Sequence, residues 1–569
     1  MFRGSFLSHT NRGFESGRVD QGDVEVAHSG GAGGDVPGLK GWCGGTRGRL
    51  SVPSRRPVAA ATAIALIVAL AGCASAGDDR SRQPKPSGRV GETLTIAYAS
   101  VPQTLDPAKA VQNNSLYQAL AYEPLIVRRS DGGLAPGLAT SWKYDGNDNT
   151  RLELRLRDGV TFSDGSPLTA QGVVDHFGYV VKQGGQFAPM FADATFSASG
   201  PLTVVITTAK PNPDLPTLLT QDDVVGGVIS PAGLRDTAKL GTQTFGAGPY
   251  QLDPAQTVAG DHYTFVQNPN YYDKAAVHWK RVVVRAITNP EATLNAMKTG
   301  QADFAVGDAS TVSAARQAGL TVTSTPLLWT GVTLADRGGT MAKPLADVRV
   351  RQALNYATDR QAIASALFPD GGRATSQLTV PGGYGYDSAL DNAYPYQPDK
   401  AKDLLAQAGY PNGFPLPIVT ADYQSMNLVA QALAQQWQKI GVTLQITDRA
   451  NSNQYTSEAF APNYPSFMTI FGQQPIWTEG PSLFLPSALF NPFHVADPQL
   501  QALFDESAKA TGDAKDSADR QVETWLVRQA WFVPVVATGL PFYATKKVTG
   551  TSVSPRAPLV SVYEIQPAA

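Results

Sequence analysis

Residues 429–446, VAQALAQQWQKIGVTLQI, carry a helical pattern that changes into a strand pattern at a glycine. One apolar face repeats at the three- to four-residue spacing of a helix: Val429, Leu433, Trp437 and Ile440. Gly441 ends that helix, and apolar residues then alternate with polar ones over 442–446, which is the period of a strand. A helix that turns directly into a strand is typical of α/β proteins.

The same alternation of helices and strands extends in both directions from this stretch. Upstream, DKAKDLLAQAG (399–409) has a helical apolar face and a terminal glycine, and Asp347 is placed to cap a helix over 348–368. Further upstream, RLELRLR (151–157) alternates strictly, as a strand does. We therefore predict an α/β fold for most of the chain.

Length and composition limit the possible classes of protein. A chain of 569 residues is too long for one core, since domains average about 150 residues, so we expect at least two lobes. With 42% hydrophobic and 17% charged residues, the composition is globular. The net charge of −2 argues against nucleic acid as a partner, because that affinity depends on many Lys and Arg contacts to phosphate.

One apolar stretch near the start has the features of a signal peptide, VAAATAIALIVALAG (58–72). It is shorter than the about 20 residues of a spanning helix, and two arginines precede it. The segment LAGC (70–73) resembles the bacterial lipobox, in which the cysteine is lipidated and becomes the new N-terminus. The resemblance implies a leader over 1–72, lipidation at Cys73, and an extracytoplasmic protein anchored to the cell membrane.

The segments beside the signal peptide are polar. Residues 73–89 are small, charged and Pro-containing, which predicts a flexible tether. The other cysteine, Cys43, lies in the leader, so no disulfide is expected after processing. Residues 1–51 precede a complete signal peptide, and we interpret them as lying upstream of a start near Val52, with a genuine extension as the alternative.

Several blocks in order along the chain resemble family 5 of the bacterial solute-binding proteins, the peptide- and nickel-type receptors of ABC importers. The blocks are LDP (105–107), LAPGLA (134–139), SW (141–142), LRDGV (156–160), FSDGSPLTA (162–170), GAGPY (246–250), NPNYY (268–272), DVRVRQAL (347–354) and YQPDKA (396–401). The resemblance covers essentially the whole chain after Cys73.

This resemblance implies a type II periplasmic-binding-protein-like fold with two lobes, an inserted subdomain and a ligand cleft at the hinge. Lobe I is expected over 90–112, 226–333 and 534–569, the inserted subdomain over 113–225, and lobe II over 334–533. The two chain crossings near 333 and 533 then form the hinge, about which the lobes close on a ligand.

Peptide-binding members of the family hold the peptide's ammonium group with an aspartate in a W-x-A-D-x-x-x-P block of lobe II. The corresponding stretch here, FGQQPIWTEGP (471–481), contains no aspartate. Trp477 falls near the aspartate's position, and Glu479 is the only acid close by. The standard anchor is thus missing or displaced, so a modified peptide, a glycan-like solute or another amphipathic molecule is an alternative ligand to an ordinary peptide.

Other candidate ligand contacts are amides and an indole, which suit neutral polar solutes. The full set of candidate ligand-binding residues is Val111, Asn113, Asn114, Trp329, Gln473, Gln474, Trp477 and Glu479. Core packing or solvation is the alternative role for each. No metal site is expected, because the four histidines after Cys73 are widely spaced: His176, His262, His278 and His494. A chelated metal stays a minor alternative.

No catalytic motif is present: the sequence has no G-x-S-x-G elbow, no P-loop and no H-E-x-x-H. The absence of these motifs predicts a non-enzymatic protein, and the resemblance to family 5 implies a monomeric receptor without cofactor. It captures a peptide-like or other polar organic solute and delivers it to the permease and ATPase subunits of an ABC importer. The alternative is a ligand sensor of the same fold that acts on a signalling partner.

Overall fold

The computed structural model describes residues 89–111, 114–186 and 188–569. Cys73, nearly all of the predicted tether and Asn113 lie outside these residues. Within this part of the chain, no helix is both long enough and apolar enough to cross a membrane.

Lobe I is built on a seven-stranded mixed sheet. Its strands are, in spatial order, Thr321–Thr323, Phe542–Ala544, Phe304–Val306, Gly91–Tyr98, Trp279–Ala286, His262–Gln267 and Tyr250–Leu252. The central strand Gly91–Tyr98 runs parallel to both of its neighbours, so three carboxyl ends meet at one edge of the sheet. The helices of this lobe are Ser115–Ala121, Pro231–Arg235, Pro290–Lys298 and Val312–Gln317.

Lobe II is built on a six-stranded sheet. Its strands are, in spatial order, Arg373–Ala374, Phe532–Gly539, Pro326–Leu334, Ser466–Gly472, Pro415–Ala421 and Thr443–Arg449. Its helices are Val348–Tyr356, Arg360–Leu367, Pro398–Gln407, Met426–Gln438, Ser452–Ala459, Ile476–Leu483, Pro498–Lys509 and Gly512–Arg528. Buried Val429, Leu433 and Trp437 pack helix Met426–Gln438 into this core, as their spacing predicted.

An inserted subdomain carries a four-stranded antiparallel sheet. Its strands are, in spatial order, Ala139–Tyr144, Arg151–Leu156, Thr203–Thr208 and Ala194–Ala198. Its helices are Ala170–Gln183 and Leu215–Leu218. Two further strand pairs join Ile126–Arg128 to Leu134–Pro136 and Val548–Thr549 to Gln566–Pro567.

The expected single helix over 348–368 is two helices, Val348–Tyr356 and Arg360–Leu367. Asp347 caps the first, its carboxylate accepting the Arg349 N–H at 2.8 Å. Asp359 caps the second by accepting the Ala362 N–H at 3.0 Å. An aspartate competes for backbone N–H groups, so a second good cap begins a new helix within a continuous apolar pattern.

The chain crosses between the lobes at two adjacent points. Strands Pro326–Leu334 and Phe532–Gly539 pair with each other inside the six-stranded sheet, so the crossings lie at 324–325 and 540–541. These points are about one strand away from the crossings expected near 333 and 533. The difference has a simple cause: a buried strand has the same apolar pattern whichever sheet it joins.

Candidate ligand cleft

A cavity of about 400 Å³ lies at the carboxyl ends of the parallel strands of lobe I, and two residues of the inserted subdomain, Gln221 and Asp222, also line it. Such an edge is the usual ligand position in open α/β sheets. This cavity is called the lobe I cavity. The wall is largely apolar, with a few polar side chains among the lining residues: Ser100, Ser115, Gln221, Asp222 and Ser561. The Ser561 hydroxyl is buried and has no hydrogen-bond partner in the described structure. The volume and this mixture of groups suit a small organic ligand.

The loop after the first strand contributes to this cavity indirectly. Asn114 is buried, and its side-chain oxygen accepts a hydrogen bond from the Ser100 hydroxyl, which lines the cavity, at 2.9 Å. Val111 is exposed. Asn113 lies outside the described residues. Of this loop, the structure therefore places Asn114 directly behind the cavity wall.

The candidate residues of lobe II lie close together in space. The Gln473 N–H donates to the Leu327 carbonyl at 2.8 Å, which continues the pairing between the strands that hold Trp329 and Phe471. Glu479 lies in the first turn of helix Ile476–Leu483 and accepts the Gln474 N–H at 3.3 Å. Trp329 is fully buried and packs edge-to-face on Phe532 at 5.7 Å.

Several polar atoms in this part of lobe II are buried and have no hydrogen-bond partner among the described residues. They are Trp329 Nε1, Thr379 Oγ1, Gln473 Oε1 and Nε2, Gln474 Oε1 and Glu523 Oε2. Native proteins satisfy the great majority of such groups, because an unmade buried hydrogen bond costs about 1–3 kcal/mol. Each of these atoms is therefore a candidate contact for a polar group of a ligand.

Thr379 and Glu523 are the members of this set that sequence analysis did not select. The Glu523 carboxylate accepts the Leu378 N–H at 2.6 Å, which brings it beside Thr379. The sequence does contain a pattern that points to Glu523. This acidic residue lies on the apolar face of helix Gly512–Arg528, between buried Val522 and Leu526. Acidic residues are seldom buried unless they have a partner.

Burial dominates the electrostatics of these carboxyl groups. It raises the pKa of Glu523 to about 7. Burial also raises the pKa of Glu479 well above its ordinary value, and the nearby Glu523 raises it further. On the inserted subdomain, burial raises the pKa of Asp214 to about 6, and its Oδ2 is another buried atom without a described partner. Loss of solvation favours the neutral form of each acid.

Hydrogen bonds connect lobe II with the inserted subdomain. The half-buried Trp477 donates from its indole Nε1 to the Pro211 carbonyl at 2.8 Å. Arg128 donates to the Tyr384 hydroxyl at 3.1 Å and is paired with Asp222 of the cavity wall. Tyr384 follows the loop that holds Thr379. The hydrogen bonds of Trp477 and Arg128 therefore connect the lobe I cavity with the unpartnered polar atoms of lobe II.

His176 and His262 contact protein groups in their structural surroundings. His176 is fully buried, its ring nitrogens bond Val225 O at 3.0 Å and Ile229 N at 3.3 Å, and burial lowers its pKa to about 4. His262 contacts its neighbour Asp261. Among the described residues, no group of three or more His, Cys, Asp or Glu side chains is arranged to hold a metal ion.

Comparison with known proteins gives a consistent result. The family model "Bacterial extracellular solute-binding proteins, family 5 Middle" matches residues 133–488. The glutathione-binding protein GsiB of Shigella dysenteriae is 26% identical over 487 residues, covering 81% of this chain and 92% of that protein.

Two solved structures share the fold. HbpA2 from Haemophilus parasuis aligns with a TM-score of 0.75 at 20% identity, covering 84% of this chain and 100% of HbpA2. The periplasmic binding protein DppA from Helicobacter pylori, in complex with the peptide STSA, aligns with a TM-score of 0.63 at 19% identity, covering 85% and 99%. The predicted two-lobed type II fold is confirmed.

Proposed function

Because the chain belongs to family 5 of the bacterial extracellular solute-binding proteins, we propose that it is the lipid-anchored receptor of an ABC importer. It captures a peptide-like or other polar organic solute between its lobes, which close on the solute. The closed form is then recognised by a membrane permease, whose ATPase partner drives transport. The receptor itself acts as a monomer and catalyses no reaction.

The observation that carries this proposal is the set of buried, unpartnered polar atoms on lobe II. These atoms belong to elements of lobe II next to the hydrogen bonds that Trp477 and Tyr384 form with the inserted subdomain. The lobe I cavity lies on the other side of those hydrogen bonds. A ligand held between the two would satisfy the polar atoms and fill apolar space at once.

A short peptide or a peptide-like molecule is the favoured solute. GsiB is named for glutathione, a tripeptide, and the DppA structure contains a tetrapeptide. A cavity of about 400 Å³ falls within the usual size range of small-molecule sites. Amide-bearing Gln473 and Gln474 and the hydroxyl of Thr379 offer both donors and acceptors, which peptide bonds require.

The proposed domain boundaries follow the sheets. We place lobe I over 90–121, 226–325 and 540–569, the inserted subdomain over 122–225, and lobe II over 326–539. The lipid anchor is proposed at Cys73. In cells, Cys73→Ala should move the protein from the membrane fraction to the soluble fraction and abolish fatty-acid labelling, whereas a change elsewhere in the tether, Ser75→Ala, should do neither.

Native mass spectrometry of the purified chain from residue 74 tests the binding function, because receptors of this type bury their ligand in a closed cleft. Spectra are recorded before and after gentle unfolding and refolding. Bound masses that form a short-peptide series, lost on refolding, are expected. A single non-peptide mass would show that the solute is another kind of molecule than a peptide. A chain that carries no bound mass, and whose melting temperature no peptide, glycan or metal chelate raises, would contradict a receptor function.

A further inference from the structure

The wall of the lobe I cavity consists mainly of apolar side chains. They come from three strands, one helix and the second crossing between the lobes: Tyr98, Leu116, Phe304, Val306, Leu540 and Phe542. Phe304 and Phe542 are buried in the core of lobe I, whereas the other four are only partly covered. Protein interiors are close-packed and leave few apolar spaces larger than a water molecule. A space of about 400 Å³ with such a wall is therefore suited to an apolar group of a ligand.

Most polar side chains of the lobe I cavity are already engaged with the protein. The Ser100 hydroxyl donates to Asn114 Oδ1 at 2.9 Å. The Gln221 amide donates to the Arg128 carbonyl at 2.7 Å and accepts the Arg128 N–H at 3.0 Å. The Ser561 hydroxyl differs, because it is buried without a partner among the described residues. The cavity thus offers a ligand few polar partners, foremost this hydroxyl.

Charge in the lobe I cavity is compensated. Among the described residues that line it, Asp222 is the only charged one, and its Oδ2 lies 2.6 Å from Nε of the buried Arg128. An anionic group of a ligand would face this carboxylate, and a cationic group would have to compete with Arg128. Because burying an uncompensated charge against apolar walls is costly, the cavity favours an uncharged group.

The segment 559–562, close to the end of the sequence, contributes four consecutive residues to the cavity wall. It belongs to no helix or strand, but contacts on both sides fix its position. Before it, Arg556 pairs with Asp516 of lobe II at 2.8 Å. After it, the Ile565 carbonyl accepts the indole N–H of Trp279 at 2.9 Å. A segment fixed at both ends presents the same wall to every ligand, which a selective pocket requires.

We propose that the lobe I cavity is a specificity pocket for one uncharged apolar group of the solute, an aromatic or branched aliphatic side chain, with Leu559, Val560 and Val562 as its selective wall. A polar atom at the tip of that group would meet the Ser561 hydroxyl. This inference rests on the proposed receptor function and narrows its substrate class to solutes that carry such a group. The polar atoms of lobe II then serve the remaining, polar part of the solute.

Tripeptides that differ in one side chain test the pocket. Trialanine is compared with tripeptides in which phenylalanine, leucine, lysine or glutamate replaces alanine at each of the three positions. Each is titrated by calorimetry into the chain from residue 74. At one position at least, phenylalanine or leucine should tighten binding tenfold or more, whereas lysine and glutamate should not. The heat-capacity change should also become more negative, since burial of apolar surface has that signature.

Val562→Asp should remove the preference for phenylalanine and leucine and favour the lysine peptide, because it places a carboxylate in the apolar wall. Val258→Asp is the matched control: this valine of lobe I is exposed and does not line the cavity, so the preference should stay unchanged. Circular dichroism checks that each variant is folded. Val562→Thr, which keeps the shape and adds a hydroxyl, is a second variant and should reduce the preference in part.

The outcomes separate the pocket from the receptor function. Equal binding of the alanine, phenylalanine and leucine peptides would overturn the pocket while the receptor function stands. If no tripeptide binds, toluene is the probe and saturation-transfer NMR the readout, because an apolar cavity takes up such a molecule on its own. Toluene binding that Val562→Asp abolishes and Val258→Asp retains would support the pocket. Toluene that does not bind, or binds both variants equally, would overturn it. The receptor function is tested separately by the bound masses and the melting temperature.

Discussion

Gln473 and Gln377 are buried glutamines of lobe II with opposite hydrogen-bonding states. Both amide atoms of Gln473 lack a described partner. Gln377 is fully buried, donates to Asp387 O at 3.0 Å and to Asp391 Oδ1 at 2.9 Å, and accepts from Asp387 N. A buried amide without partners costs stability in the unliganded protein, and under the proposed function a ligand supplies those partners.

We therefore expect Gln473→Met to raise the stability of the unliganded protein by about 1 kcal/mol and to weaken ligand binding. Methionine has a similar length and brings no buried polar group that needs a partner. Chemical denaturation gives the stability, and calorimetry with the co-purified solute gives the affinity.

Gln377→Met is the matched control for that substitution. Because it breaks three satisfied hydrogen bonds, we expect it to lower the stability by about 1–3 kcal/mol. If Gln473→Met destabilises the unliganded protein as much as Gln377→Met does, the Gln473 amide is satisfied in solution and is not reserved for a ligand.

Sequence analysis could select the polar cleft residues only where they share one stretch of chain. The stretch FGQQPIWTEGP contains Gln473, Gln474, Trp477 and Glu479, so its resemblance to a family block drew attention to all four. Thr379 and Glu523 lie about 100 residues before and 50 residues after it, and they join the set through the folding of lobe II. Spatial convergence of that kind leaves no local sequence pattern, and the roles of all these residues in binding stay predictions.

At the scale of elements, helices with strong end signals are the most predictable. Helix Met426–Gln438 is followed by Gly441 at φ +84°, a conformation that favours glycine, so both its face and its end could be read from the sequence. Strand Pro326–Leu334 is less predictable. Its sheet is decided by its pairing with Phe532–Gly539, almost 200 residues later.

Strands Pro326–Leu334 and Phe532–Gly539 adjoin the two crossings, and Gly539 is a point of close backbone approach there. A Cβ added to Gly539 would overlap both the Thr325 carbonyl and Ser324 Oγ. We expect Gly539→Ala to separate the two crossings, to cost about 1–3 kcal/mol of stability, and to weaken ligand affinity, because the hinge sets the path of closure. Urea unfolding and calorimetry measure the two effects.

Gly371→Ala serves as the control for the hinge substitution, since an added Cβ there meets no atom within 4 Å. It should leave both stability and affinity nearly unchanged. A Gly539→Ala variant that binds and unfolds like Gly371→Ala would show that the hinge tolerates the extra carbon, and that close approach at this point does not control closure.

At the scale of the whole molecule, the inserted subdomain and lobe II meet through a small number of hydrogen bonds. Asn149 donates to Ala508 O at 3.1 Å, and Trp477 donates to Pro211 O at 2.8 Å. Such polar contacts are individually worth about 0.5–1.5 kcal/mol, so an interface of this kind can open and close reversibly. Under the proposed function, the closed arrangement depends on the ligand for part of its free energy.

Trp477→Phe should shift the molecule towards open lobes, because it removes the N–H that the Pro211 carbonyl accepts while keeping an aromatic ring. We expect ligand affinity to fall about two- to tenfold, with the loss appearing mainly in the dissociation rate, and the radius of gyration of the unliganded protein to increase. Stopped-flow fluorescence and small-angle X-ray scattering measure these changes.

Trp437→Phe is the matched control, because the Trp437 indole donates to Thr358 Oγ1 at 3.1 Å within lobe II. That variant should lose stability without a change in radius. If Trp477→Phe changes neither affinity nor radius, the Trp477–Pro211 contact does not stabilise the closed form, and closure must rest on the ligand and the remaining contacts.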